Sequence, residues 1–163
     1  MLKKQVLIPF QKSRHNHRHC VVTALRDAEY TCQRMGLRLT HTRKRVLELL
    51  WQQHTPVKAY DILQMMHREN PRAAPATVYR ALEFLQQAGL VHRIESLNAF
   101  VGCGDPSRPH DGQFFICRQC GAVAEIHEPK ISRLLQEQAR LLGFQSDHPL
   151  VEIQGRCPRC CEN

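Results

Sequence analysis

From Val21 to Ala88 the apolar residues recur every three or four positions, and beyond Gly89 the period drops to about two. Val21, Leu25, Ala28 and Cys32 predict a helix running to Met35 and closed by Gly36. Thr40 is placed to cap a second helix with the stripe Val46, Leu47, Leu49 and Leu50. Ile62, Leu63 and Met66 mark a third helix over Ala59 to Glu69, and Val78, Leu82 and Leu85 a fourth over Ala76 to Ala88 that ends at Gly89. Leu90 to Ile94 and Ala99 to Val101 then flank Ser96-Leu97-Asn98 as a β-hairpin. Helices followed at once by a hairpin describe a winged helix-turn-helix over residues 21–103. A tight turn at Leu97-Asn98 predicts pairing of Ser96 with Ala99 and, down the ladder, of His92 with Cys103.

Gly104-Asp105-Pro106-Ser107-Arg108-Pro109 predicts a hinge over 104–112. Strands near Gln113 to Cys117 and Ala122 to Ile126, a helix from Pro129 to Leu142 and a strand at Leu150 to Ile153 then make a small second domain over 113–163. So slight a unit needs a metal, a partner chain, or both. Residues 1–20 are basic and rich in histidine (His15, His17, His19) without apolar periodicity, and read as a flexible tail whose histidines could collect metal. The expected fold class is α+β: an N-terminal winged helix-turn-helix domain joined by a hinge to a small α/β dimerisation domain.

Charge changes the picture next. Lys and Arg outnumber Asp and Glu by 23 to 15, and the net +8 favours a polyanionic partner, with double-stranded DNA first. No apolar run is long enough for a membrane span or a signal peptide, so a cytoplasmic protein is expected. Eight cysteines in such a chain point to metal ligation rather than disulfides. Their spacing supports this, because Cys117-x-x-Cys120 and Cys157-x-x-Cys160 are two thiolate knuckles, the donor set of a structural zinc. Cys161 adjoins the last of these out of knuckle register, and Cys20 and Cys32 carry no expected chemistry.

Pro75-Ala76-Thr77-Val78-Tyr79-Arg80-Ala81-Leu82, Val91-His92 through Cys103, and Phe115-Ile116-Cys117-Arg118-Gln119-Cys120-Gly121 together resemble the ferric uptake regulator family of bacterial metalloregulators over residues 22–160. Cys103 at the end of the wing, and the single His110 before the first knuckle, resemble the zinc uptake regulator branch. The resemblance implies a homodimeric, zinc-dependent repressor of zinc-uptake genes with two zinc ions per chain. It implies regulatory ligands His92, Cys103, His110 and Glu125, and structural ligands Cys117, Cys120, Cys157 and Cys160. His148 stands where some members place a further ligand, and His127 is a second candidate. One thiolate, one carboxylate and two imidazoles suit zinc, whereas iron, manganese or peroxide sensing, the alternative within the family, is expected to use more nitrogen and oxygen.

On the fourth helix Thr77, Arg80 and Glu83 face away from the apolar stripe, and Tyr79 stands near its boundary, where it can either pack or meet a thymine methyl or a phosphate. Arg80 is the expected base reader, since a guanidinium can take guanine O6 and N7 together. Arg43, Lys44 and Arg45 crowd the start of the second helix against its dipole, which predicts a nearby anion, and with Lys58 they are expected at phosphates. Tyr60 joins them by the resemblance, and Trp51 reads as core. An enzyme is not expected: a zinc deaminase needs H-x-E followed by P-C-x-x-C, and neither Ile126-His127-Glu128 nor Arg156-Cys157-Pro158-Arg159-Cys160 fits.

Overall fold

The computed structural model describes residues 6–10, 17–53, 55–147 and 149–161, with the side chain of His17 excepted. The chain divides into two units, 11–108 and a second one made of 1–10 together with 109–163. Among the described residues no helix is long and apolar enough to cross a membrane.

The 11–108 unit carries α1 (His17–Arg34), α2 (His41–Trp51), α3 (Ala59–His67), α4 (Pro75–Gln87), β2 (Val91–Ile94) and β3 (Ala99–Gly102). Its core is the stripe the periodicity marks: Val46, Leu47, Ile62, Val78, Leu82, Leu85 and Leu90 are all buried, and Leu25 and Trp51 pack against them. Thr40 caps α2 by accepting from the Arg43 amide. At the end of α4, Gly89 takes φ +68°, and the Leu90 amide reaches back to the Leu85 carbonyl at 2.8 Å. That left-handed position stops the helix and turns the chain into the wing, at no steric cost to glycine.

The wing departs from the expected register. Its turn is a 3-10 segment, Glu95–Leu97, followed by Asn98 at φ +46°, and the pairs are Ile94 with Ala99 and His92 with Val101. Four residues turn the hairpin instead of two, because asparagine tolerates the left-handed region that closes the longer loop. The Cys103 amide donates to the Leu90 carbonyl at 3.0 Å, so Cys103 lies diagonal to His92 rather than opposite it. Val57 adds a further pairing with Phe100, which ties the α2–α3 connection to the wing.

Two other expectations change in this unit. The helix expected from Val21 begins at His17, inside the segment read as a tail. The supposed hinge is partly held down: Thr31 donates to the Pro106 carbonyl at 3.3 Å, Arg34 to the Ser107 carbonyl at 2.7 Å, and Arg108 to Asp105 at 2.9 Å.

The other unit is a four-stranded sheet in the order β1 (Val6–Ile8), β5 (Val123–Ile126), β4 (Gly112–Cys117), β6 (Leu150–Gly155), with α5 (Pro129–Leu141) between β5 and β6 and the short α6 (Pro158–Cys161) at the end. β4 pairs antiparallel with β5 and parallel with β6, a pairing that the intervening α5 crossover permits. β1 corrects the tail reading again, since residues 6–8 are an edge strand antiparallel to β5. Gln113, 1% exposed, pins the start of α5: its side chain donates to the Glu128 carbonyl and the Ser132 hydroxyl and accepts from the Glu128 amide, at 3.1, 3.0 and 3.0 Å.

Candidate metal centres and nucleic-acid face

The four knuckle cysteines converge. Their sulfurs lie within 4.8 Å of one another, and the Sγ atoms of Cys120 and Cys157 are 3.7 Å apart. Four sulfurs at about 2.3 Å from a tetrahedral zinc stand about 3.8 Å apart, so the donor set and its spacing fit that ion. Gly121, at φ +71°, closes the first knuckle by donating to the Cys117 carbonyl at 2.9 Å, and the second knuckle rides on α6, with Cys160 and Cys161 donating to the Cys157 carbonyl. The main-chain amides of Cys157 and then Cys120 hold the Cys117 thiol down at about 6, whereas burial pushes Cys160 up to about 12. Ala122's amide lowers the Cys120 thiol, and Arg159 beside it gains from the same proximity. The arginine offsets part of the negative charge four thiolates would bring, a role that knuckle spacing does not announce. Cys161 is exposed and points to the Arg156 carbonyl.

The other expected ligands form two pairs. At the root of the wing, His92 on β2 and Cys103 just past β3 bring a ring nitrogen and a sulfur within 4.8 Å. The register differs from the expected one by two residues, and a shift of two keeps every side chain on its face, so the pair survives the correction. Cys103 is buried. In the sheet unit, His110 Nε2 lies 2.9 Å from Glu125 Oε1, with both side chains almost fully buried at 3% and 1% exposure. A carboxylate so far from water is costly unless a cation or strong donors face it. The His127 ring meets that of His110 edge-on at 5.5 Å, and its buried Nδ1 has no hydrogen-bond partner among the described residues. His148 and His15 lie outside the described residues, as does the side chain of His17, while His19 sits in the first turns of α1.

On α4, Thr77, Tyr79 and Arg80 are exposed, Tyr79 at 60%, which removes the packing role that its place near the stripe allowed. Tyr60 and Lys58, at the start of α3, are exposed as well. The α2 cations are engaged within the chain. Lys44 pairs with Glu29, Arg45 with Glu48 and Glu69, and Arg43 stacks 3.5 Å over the Phe84 ring while donating to the Arg38 carbonyl. The anions that the helix dipole called for are thus carboxylates from α1, from α2 itself and from the segment after α3.

Comparison with known proteins gives a consistent answer. The family model described as the ferric uptake regulator family matches residues 34–154. A zinc uptake regulation protein of Escherichia coli (strain K12) is 39% identical over 139 residues, which are 85% of this chain and 81% of that protein. A zinc uptake regulator solved in complex with zinc and DNA is 38% identical, covers 87% of this chain and 95% of its own, and superposes with a TM-score of 0.83. The crystal structure of holo XcZur is 41% identical, with coverage of 86% and 99% and a TM-score of 0.80. Matched by the family model over residues 34–154, the chain belongs to the ferric uptake regulator family.

Proposed function

We propose that the protein is a zinc-responsive transcriptional repressor that binds operator DNA as a homodimer and controls zinc-uptake genes. The observation that carries this reading is the donor set: a thiolate beside an imidazole at the wing root, and a buried carboxylate beside an imidazole in the sheet unit. Cys117, Cys120, Cys157 and Cys160 would hold one zinc that stabilises the sheet unit, and His92, Cys103, His110 and Glu125 a second, regulatory one. Zinc supplies a single Lewis-acid centre that a thiolate, a carboxylate and two imidazoles neutralise in four-coordination. Iron(II) or manganese(II) would gain less from Cys103.

His92 and Cys103 belong to the winged-helix unit, and His110 and Glu125 to the sheet unit. Four side chains committed to one centre therefore restrain the angle between the units. In a two-fold dimer that angle sets the spacing of the two α4 helices, which must match half-sites about 34 Å apart or a multiple of it. Leu134, Leu135, Leu141, Leu142 and Phe144 on and after α5, with Ile153 on β6, are exposed apolar residues that support dimerisation through this unit. Arg80, Tyr79 and Thr77 would meet base edges, and Tyr60 and Lys58 the backbone. Arg43, Lys44 and Arg45 would reach phosphates only by giving up carboxylate or aromatic partners, which makes them the weaker contacts.

The experiment is operator binding across a buffered zinc series, paired with metal analysis. Binding that rises with occupancy of a second zinc per chain is expected. Binding unchanged by zinc, or driven by iron(II) at the same sites, would overturn the reading.

A further inference from the structure

We propose that the N-terminal strand β1 positions the Glu125 half of the regulatory site, and that its docking on β5 sets the zinc concentration at which that site fills; the inference rests on Glu125 being a regulatory ligand. Three observations converge on residues 6–10, which precede the span matched by the family model, 34–154. Ile8 pairs with Glu125 itself and Val6 with Ile126, so three residues of β1 oppose two of β5. Such a bulge bends β1 and raises the local twist of the pair where it meets Glu125. β1 is also the outermost strand beside β5, so that its departure would turn β5 from an interior strand into an edge and leave main-chain groups at Glu125 to water. Phe10, two residues on, packs against the cluster of Cys117, Cys157 and Cys160. One short segment therefore touches the strand bearing the regulatory carboxylate and the structural knuckles together.

A docked β1 holds Glu125 in the ligating orientation before zinc arrives. A chain without it must order β5 at the expense of zinc affinity. Outer-shell partners of ligands commonly account for about tenfold to 100-fold in metal affinity.

The test compares the full chain with a form lacking residues 1–10, with Ile8→Pro, and with the conservative Ile8→Val, each loaded with one zinc and titrated with a second against a competing chelator. Truncation and Ile8→Pro are expected to weaken the second zinc by about tenfold, with Ile8→Val near the parent and the first zinc retained in all. A second-zinc affinity unchanged in both disrupted forms overturns the proposal. Should the disrupted forms not fold, hydrogen exchange on the intact chain decides: by reciprocity the second zinc must slow exchange of the amides of residues 6–8, and unaltered exchange overturns it. Glu125→Ala, run alongside, separates the two ideas. If it removes the second zinc, the ligand reading stands and the strand is judged by the arms above; if it binds the second zinc as the parent does, the ligand reading fails and the strand proposal falls with it.

Discussion

Gly102 shows how much a single position can be asked to do. A Cβ there would stand 2.2 Å from the Trp51 indole nitrogen, so the last residue of β3 is glycine because a rigid ring occupies the space. Gly102→Ala is expected to cost about 1 to 3 kcal/mol, read as a fall in the denaturation midpoint, and to disturb Cys103 next to it. Cys103→Ser tests the site directly. It should leave the protein folded with the proposed knuckle zinc in place, yet abolish zinc-stimulated operator binding in a gel-shift titration, because a serine hydroxyl is a far poorer zinc ligand than a thiolate. Arg80→Ala should cost about 1 to 3 kcal/mol on the cognate operator and relax specificity, whereas Lys58→Ala should weaken all sequences alike and reduce the salt slope by about 1. Competition assays at two salt concentrations separate these outcomes.

At the scale of elements, the helices of the winged unit were legible because each carries an apolar stripe, with Thr40 opening α2 and Gly89 closing α4. The knuckles were legible because two cysteines at a fixed spacing have few other uses. What escaped was set by partners distant in the chain. The wing register depended on Asn98 accepting a left-handed turn, and the cations of α2 found Glu29, Glu69 and Phe84 from other segments. Residues 6–8 have too short an apolar run to announce a strand, and only β5 makes them one. The knuckle element has its own pH behaviour. Ligating sulfurs must be deprotonated, and Cys160, pushed up to about 12 by burial, would have to give up a proton to bind the proposed zinc. Zinc uptake by the metal-free protein should therefore release protons, and its apparent affinity should fall as the pH is lowered from about 8 to about 6, measured by chelator competition. Cys157→Ser should yield unstable or monomeric protein by light scattering, since the sheet unit is small.

For the whole molecule the quantity of interest is coupling between metal and DNA. To move a dimer from about 1% to about 99% binding-competent, zinc must prefer the competent form by about 10⁴-fold, or about 5.5 kcal/mol. The cognate operator must then tighten the regulatory zinc by the same factor, which isothermal titration with and without DNA would read. The structure also shortens the stretch in which such a change can pivot. Pro106 and Ser107 are held by Thr31 and Arg34, and His110 by Glu125, so several residues of the expected 104–112 hinge are already tied down within one unit or the other.

The edge strand has a consequence for how the protein is made. Ile8 and its partner Glu125 are 117 positions apart (125 − 8), so β1 leaves the ribosome well before its partner. At about 5–20 residues per second it waits roughly 6 to 23 seconds with nothing to pair with. Its brevity is an advantage in that interval, because a three-residue strand offers little template to a neighbouring nascent chain. Its docking then requires only that the chain has been made as far as β5, before α5, β6 and the second knuckle.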